Sequence, residues 1–168
     1  MNESYADFFS RRLNWDMVFS KQDLRHIIEI RCALEEQAAA LAAERATNAE
    51  KEKLAQLVEA IRDVSLGLEK AVEHDIAFHM AIAKASHNPM LFNLALNIRQ
   101  LLQGYIKSGY TRRGYSNQAE ADEIADLHRP IVEAIQAGRP YEAKKAMHTH
   151  FKNTTGWQLA QEVDQDES

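Results

Sequence analysis

"EHDIAFHMAIAKASHNP", residues 73–89, carries its apolar side chains at helical spacing and ends on a proline. Val72, Asp75, His79, Ile82 and Ser86 stand at gaps of 3, 4, 3 and 4, which puts all five on one face of an α-helix. The face that packs inward therefore bears a carboxylate and an imidazole one turn apart. An unpartnered buried carboxylate is costly, so Asp75 requires a partner in the core. The helix is predicted over about 71–86, because Pro89 disfavours helical backbone at Asn88.

The same period extends in both directions. A first helix is predicted over about 23–47, with Asp23 as its N-cap, and a second over about 49–69, with Gly67 near its weak end. A fourth starts at Pro89, a good first-turn residue, and runs to about Ser108. "GYTRRGYSNQ", residues 109–118, is predicted as a loop. A fifth helix covers about 119–137 and ends at Gly138, and Pro140 opens a sixth that runs to about 160. No stretch alternates with a period of two for long enough to make a strand. The expected fold is all-α, an antiparallel helical bundle of six to seven helices. It occupies residues 21–160, after an N-terminal arm or linker remnant over 1–20 and before an acidic tail over 161–168.

Composition narrows the function. The chain has 168 residues, enough for one domain with its own core, with 45% hydrophobic and 27% charged residues. A net charge of -5 argues against a nucleic-acid-binding face in this chain, since phosphates call for a basic surface. The one cysteine, Cys32, can form no internal disulfide, which fits a reducing compartment. No apolar run approaches the roughly 20 residues that span a bilayer. Asp7 and Arg11 interrupt the apolar residues of the N-terminus, unlike a signal peptide. The expected setting is cytoplasmic, with no membrane.

Two more helices repeat the anomaly of the third. The fifth has the stripe Ile124, His128, Ile131, Ile135, and the sixth Ala143, Met147, His150, Thr154. A single inward histidine is ordinarily a hydrogen-bonded core residue. Asp75, His79, His128 and His150 converging from three helices would instead suit a borderline divalent ion, Zn²⁺ first, with Ni²⁺ or Mn²⁺ as alternatives. His26, His74, His87 and His148 lie off these stripes or at helix ends and are expected at the surface. In the first helix, Leu24, Ile27, Arg31, Leu34, Ala38 and Leu41 form a stripe with Arg31 at its centre. Arg31 either snorkels, or pairs with Glu35 one turn on, or clamps a small carboxylate held beside a metal. Asn97, on a stripe with Met90, Leu94 and Leu101, would add a hydrogen bond to such a ligand or serve as a buried structural amide.

Three segments carry a family resemblance: "EIRCALEEQAAALAAERAT", "DIAFHMAIAKASHNPML" and "LHRPIVEAIQAGRPYEAKKAMHTHF". With the order D-x-x-x-H, then H, then H kept in its apolar setting, the chain resembles the FCD domain over about residues 23–155. FCD domains are the all-helical effector-binding domains of FadR-branch GntR-type bacterial transcription regulators. The resemblance implies that Asp75, His79, His128 and His150 are the ligands of a divalent metal and that Arg31 faces the effector cavity. "ASHNPML" is most similar to members that sense lactate, glycolate and related acids. It further implies a homodimer, and DNA binding only through a winged helix-turn-helix domain absent from this chain. "RRLNWDMVFS", residues 11–20, resembles the tail of the linker to such a domain.

The expected function is thus effector sensing through a metal and a small organic acid, hydroxy-acid or similar carboxylate, without catalysis. The alternative is a metal-dependent hydrolase of helical-bundle type, since a His/Asp-ligated metal can activate water. "EHD", residues 73–75, resembles the His-Asp pair of HD phosphohydrolases, but His74 lies off the inward stripe and no general base or phosphate loop accompanies it. A purely structural bundle with hydrogen-bonded histidines is the remaining reading.

Overall fold

The computed structural model describes residues 21–113 and 115–153, with the side chains of 21–22, 103–106 and 108–113 excepted. The arm expected over 1–20, the end of the sixth helix beyond Asn153, Thr154 and the tail over 161–168 lie outside the described residues. The described residues form six α-helices and one 3₁₀ turn: α1 Lys21–Arg45, α2 Asn48–Arg62, the turn Val64–Leu66, α3 Gly67–Ala85, α4 Pro89–Arg113, α5 Gln118–Gln136 and α6 Pro140–Asn153. The all-α bundle expected from the periodicity is the observed architecture.

Local chemistry explains most boundaries. Thr47 caps α2 in a reciprocal box with Glu50, each satisfying a backbone N–H of the other. Asn88 accepts from Leu91 N at 3.1 Å and so caps the start of α4. Gly138 ends α5 at φ 65°; its N–H donates to Ile135 and that of Arg139 to Ala134, so a left-handed residue satisfies two terminal carbonyls.

Three boundaries differ from expectation. The second helix does not run on to residue 69. Asp63 leaves the helix at ψ 90°, takes Ser65 N and Oγ on its carboxylate, and Gly67 then turns the chain at φ 79°. Asp23 lies within the first turn of α1 rather than at its N-cap. α4 continues to Arg113 and absorbs half of the expected 109–118 loop.

α1 contacts α3, α4, α5 and α6, its longest seam being with α6, while α2 packs on α3 and α5. α3 packs on α1, α2 and α4 but forms no extended seam with α5 or α6. Polar side chains fill that central gap. Val72, Asp75, His79, Ile82 and Ser86 are all buried, so the inward face of α3 is the one its spacing indicated. On α1 the deepest residues are Ile28, Cys32, Glu35, Ala38, Ala39, Ala42 and Ala43, a face turned about one residue from the expected stripe, of which Ala38 is buried and Arg31 lies at the margin. α4 is rotated likewise: Leu91, Ala95, Arg99 and Leu102 are buried, whereas Met90 is exposed and Leu94, Asn97 and Leu101 are half-buried.

Candidate metal and effector site

Asp75, His79, His128 and His150 meet in the bundle centre at exposures of 1% to 5%. A donor nitrogen from each of the three histidines lies within 4.8 Å of the others. The His128 and His150 rings are 4.4 Å apart between centroids, and His79 stands 5.0 Å from His150. Asp75 Oδ1 is 3.0 Å from His128 Nε2 and 3.7 Å from His79 Nε2. Phe78 stacks edge-on against both His79 and His128 and helps set their ring planes.

The outer contacts fix which ring nitrogens face one another. His128 Nδ1 is 2.8 Å from the Ile124 carbonyl, which only accepts, so Nδ1 carries the proton. In the neutral ring Nε2 then presents a lone pair to the Asp75 carboxylate at 3.0 Å. Two acceptors do not face each other at that distance without a cation between them, a second proton or a metal. On His79, Nδ1 is in contact with Glu35 Oε2, which leaves Nε2 toward Asp75 without a hydrogen-bond partner among the described residues. His150 Nδ1 is likewise buried and unpartnered. A carboxylate or carbonyl on one imidazole nitrogen, with the other free, is how metal-binding histidines are oriented. The donor set fits a divalent ion.

Charge agrees with the geometry. Burial alone would raise Asp75, but His79, His128 and Arg99 hold it well below the usual carboxylate range. Burial would also raise Glu35, and Arg31, His79 and Arg99 override it in the same way. Burial, then the neighbouring His128 and His79, push His150 well down, so it is neutral and able to ligate.

Sequence reasoning named Glu35 only as a partner for Arg31, a pairing the structure shows, and missed Arg99. Glu35, at 1% exposure, holds Arg31 Nε at 2.7 Å and touches His79. Arg99, at 3% exposure, donates Nη1 to Asp75 Oδ2 at 3.2 Å. Their signal was present as members of the 28/32/35/39/42 and 91/95/99/102 stripes. Arg31 is paired with Glu35, and its guanidinium carbon lies 4.8 Å over the Phe151 ring. Asn97 is half-buried and donates to the Asn93 carbonyl of its own helix at 2.8 Å. Of the histidines expected at the surface, His26, His87 and His148 are exposed and His74 is half-buried. A groove of about 440 Å³ between α5 and α6, walled by Leu127, Pro130, Ala134, Ala146 and Thr149, reaches His150.

The FCD domain profile matches residues 26–153, three quarters of the chain. The chain belongs to the FCD family of GntR-type transcription regulators. This FCD domain is 28% identical over 153 residues to the HTH-type transcriptional regulator LutR of Bacillus subtilis, covering 91% of the chain and 70% of that protein. It is 36% identical over 131 residues to the putative L-lactate dehydrogenase operon regulatory protein of Escherichia coli, covering 77% of the chain and 50% of that protein. The E. coli Glc operon transcriptional activator is 28% identical over 147 residues, of which this chain spans 56% of the length. The chain therefore spans between half and 70% of these relatives. E. coli McbR/YncC has the same fold, with a TM-score of 0.72 at 19% identity, covering 97% of this chain and 80% of that one.

Proposed function

We propose that this effector-binding domain of a transcription regulator senses a small organic acid through a divalent metal, most simply Zn²⁺, held by Asp75, His79, His128 and His150. The observation that carries the reading is the buried cluster itself: His79, His128 and His150 each present a ring nitrogen within 4.8 Å of the others, and Asp75 Oδ1 lies 3.0 Å from His128 Nε2. Glu35 and the Ile124 carbonyl orient the imidazoles, and Arg99 orients Asp75. Bound there, the ion supplies a Lewis-acidic position for an anionic ligand.

The charge balance supports an acid as that ligand. Arg31 and Arg99 offset Glu35 and Asp75, so with neutral imidazoles a divalent ion leaves two uncompensated positive charges in a dry centre. A carboxylate lowers that excess. The relative named for an L-lactate dehydrogenase operon favours a small hydroxy-acid. The acid reaches the centre past His150 through the groove between α5 and α6.

In the parent regulator, acid binding shifts the helices between two arrangements by its difference in affinity for them, and a homodimer passes the change to winged helix-turn-helix domains on DNA. The metal-dependent hydrolase has no observation in its favour here.

The test is zinc content after dialysis. Wild-type protein should retain one equivalent and His79→Ala much less, with His87→Ala, an exposed control, unchanged. Equal zinc in wild type and His79→Ala would refute the site.

A further inference from the structure

Two guanidinium groups enter the centre of the bundle, and each gives one nitrogen to a carboxylate there. Arg31 gives its Nε to Glu35 Oε1 and lies over Phe151. Arg99 is 3% exposed and gives only Nη1, to Asp75 Oδ2 at 3.2 Å. Its Nε and Nη2 are buried without a hydrogen-bond partner among the described residues. The Glu35 carboxylate, 3.9 Å from Nη2, is beyond hydrogen-bond distance and already holds Arg31 and His79.

These two nitrogens form one edge of a planar fork, with parallel N–H bonds at the spacing of the two oxygens of a carboxylate. Buried donors without acceptors are destabilising, and for a charged group the penalty is larger. A carboxylate would satisfy both at once. The fork also adjoins the metal ligands directly, through Asp75.

We propose that the Nε/Nη2 edge of Arg99 is the carboxylate-binding fork of this domain, taking up a small monocarboxylic acid while Nη1 keeps Asp75 aligned. The assignment rests on the metal-and-acid reading above and names the residue that grips the acid. Arg31 becomes a positioning residue that fixes Glu35 on His79. One arginine thereby joins the two halves of the site.

The experiment is calorimetric titration of acetate, glycolate and L-lactate into zinc-loaded protein, with lactamide as the uncharged control. Wild type, Arg99→Lys and, as a control outside the site, Arg62→Lys are compared, each with its zinc content measured. Lysine keeps the charge but cannot present two parallel donors. The expected result is that wild type binds at least one acid and not lactamide. Arg99→Lys should keep its zinc yet bind that acid roughly 10- to 100-fold more weakly, the loss expected for charge-assisted hydrogen bonds. Arg62→Lys, at an arginine paired with Asp122 and Asp126 away from the bundle centre, should stay within about threefold of wild type. Full affinity in Arg99→Lys would overturn the fork while leaving the sensor reading in place. Zinc-loaded wild type that binds none of the acids would overturn both. Should Arg99→Lys fail to fold or to hold zinc, ¹⁵N NMR of wild type decides. The Arg99 Nε–H resonance, assigned by through-bond correlation, should move when the acid is added, and an unmoved resonance overturns the proposal.

Discussion

Glu35 acts on two neighbours through one carboxylate, pairing with Arg31 by Oε1 and meeting His79 Nδ1 by Oε2. Glu35→Gln keeps the shape and removes the charge. Zinc affinity, read by competition with a chelator, should fall about 10- to 100-fold, the usual effect of losing an outer partner of a metal-bound histidine. The metal-free variant should also lose on the order of 3 kcal/mol in urea denaturation, since Arg31 and Arg99 are left with less compensation in the core. Unchanged affinity would mean that Glu35 does not orient His79. Asp75, His79, His128 and His150 were legible because each replaces an aliphatic residue on an otherwise apolar stripe. Glu35 was visible only as a possible partner of Arg31, and Arg99 not at all. A charged residue in a stripe lowers its apparent apolarity, so the polar members of a buried cluster hide the face they belong to.

At the scale of the helix, the misreadings of α1 and α4 have one cause. Both carry apolar residues on two adjacent faces, and one residue of register is about 100° of rotation. On α1 the true inward face holds Cys32, Ala39 and Ala42, small residues that let α1 lie close to its neighbours, while the bulkier Leu24, Ile27 and Leu34 are only half-buried. Hydrophobicity alone favours the bulkier stripe; packing favours the smaller one. α3 and α5 admit no such ambiguity, because each has one apolar face. Helix ends were legible where a cap or a glycine is specific. Gly138→Ala should cost about 1 kcal/mol in urea denaturation, because its φ of 65° penalises a Cβ while the space around it is open apart from the Ala43 carbonyl at 3.7 Å. No change in midpoint would show that the turn relaxes. The break between α2 and α3 was not legible, since Asp63 leaves the helix through hydrogen bonds to Ser65 that no periodicity records.

For the whole molecule, seven charged or ionisable side chains from five helices share one centre, so protons, metal and stability are linked. His150 is held neutral by burial, whereas the unfolded chain titrates near 6.5. As pH falls below about 6.5, the unfolded state takes up a proton that the folded state refuses, and stability declines. Asp75 and Glu35, both depressed, act with the same sign at lower pH. Their contribution is complete above the ordinary carboxylate range of about 4 and is lost as pH falls through their lowered folded values. The metal-free domain should therefore show a lower urea midpoint at pH 5.5 than at pH 7.5, with a steeper difference when zinc is bound, because zinc needs the same imidazoles neutral. Identical midpoints at the two pH values would show that His150 is not held neutral. The most direct measurement is the melting temperature of zinc-loaded and EDTA-stripped protein, each with and without L-lactate. The expected result is a lower Tm in EDTA and a lactate-dependent rise confined to the zinc-loaded sample. At 100 times Kd the stabilisation is about 2.7 kcal/mol, a shift of several degrees for a domain of this size. One melting temperature across all four samples would contradict it, and would leave Asp75 and the three histidines as a hydrogen-bonded core and nothing more.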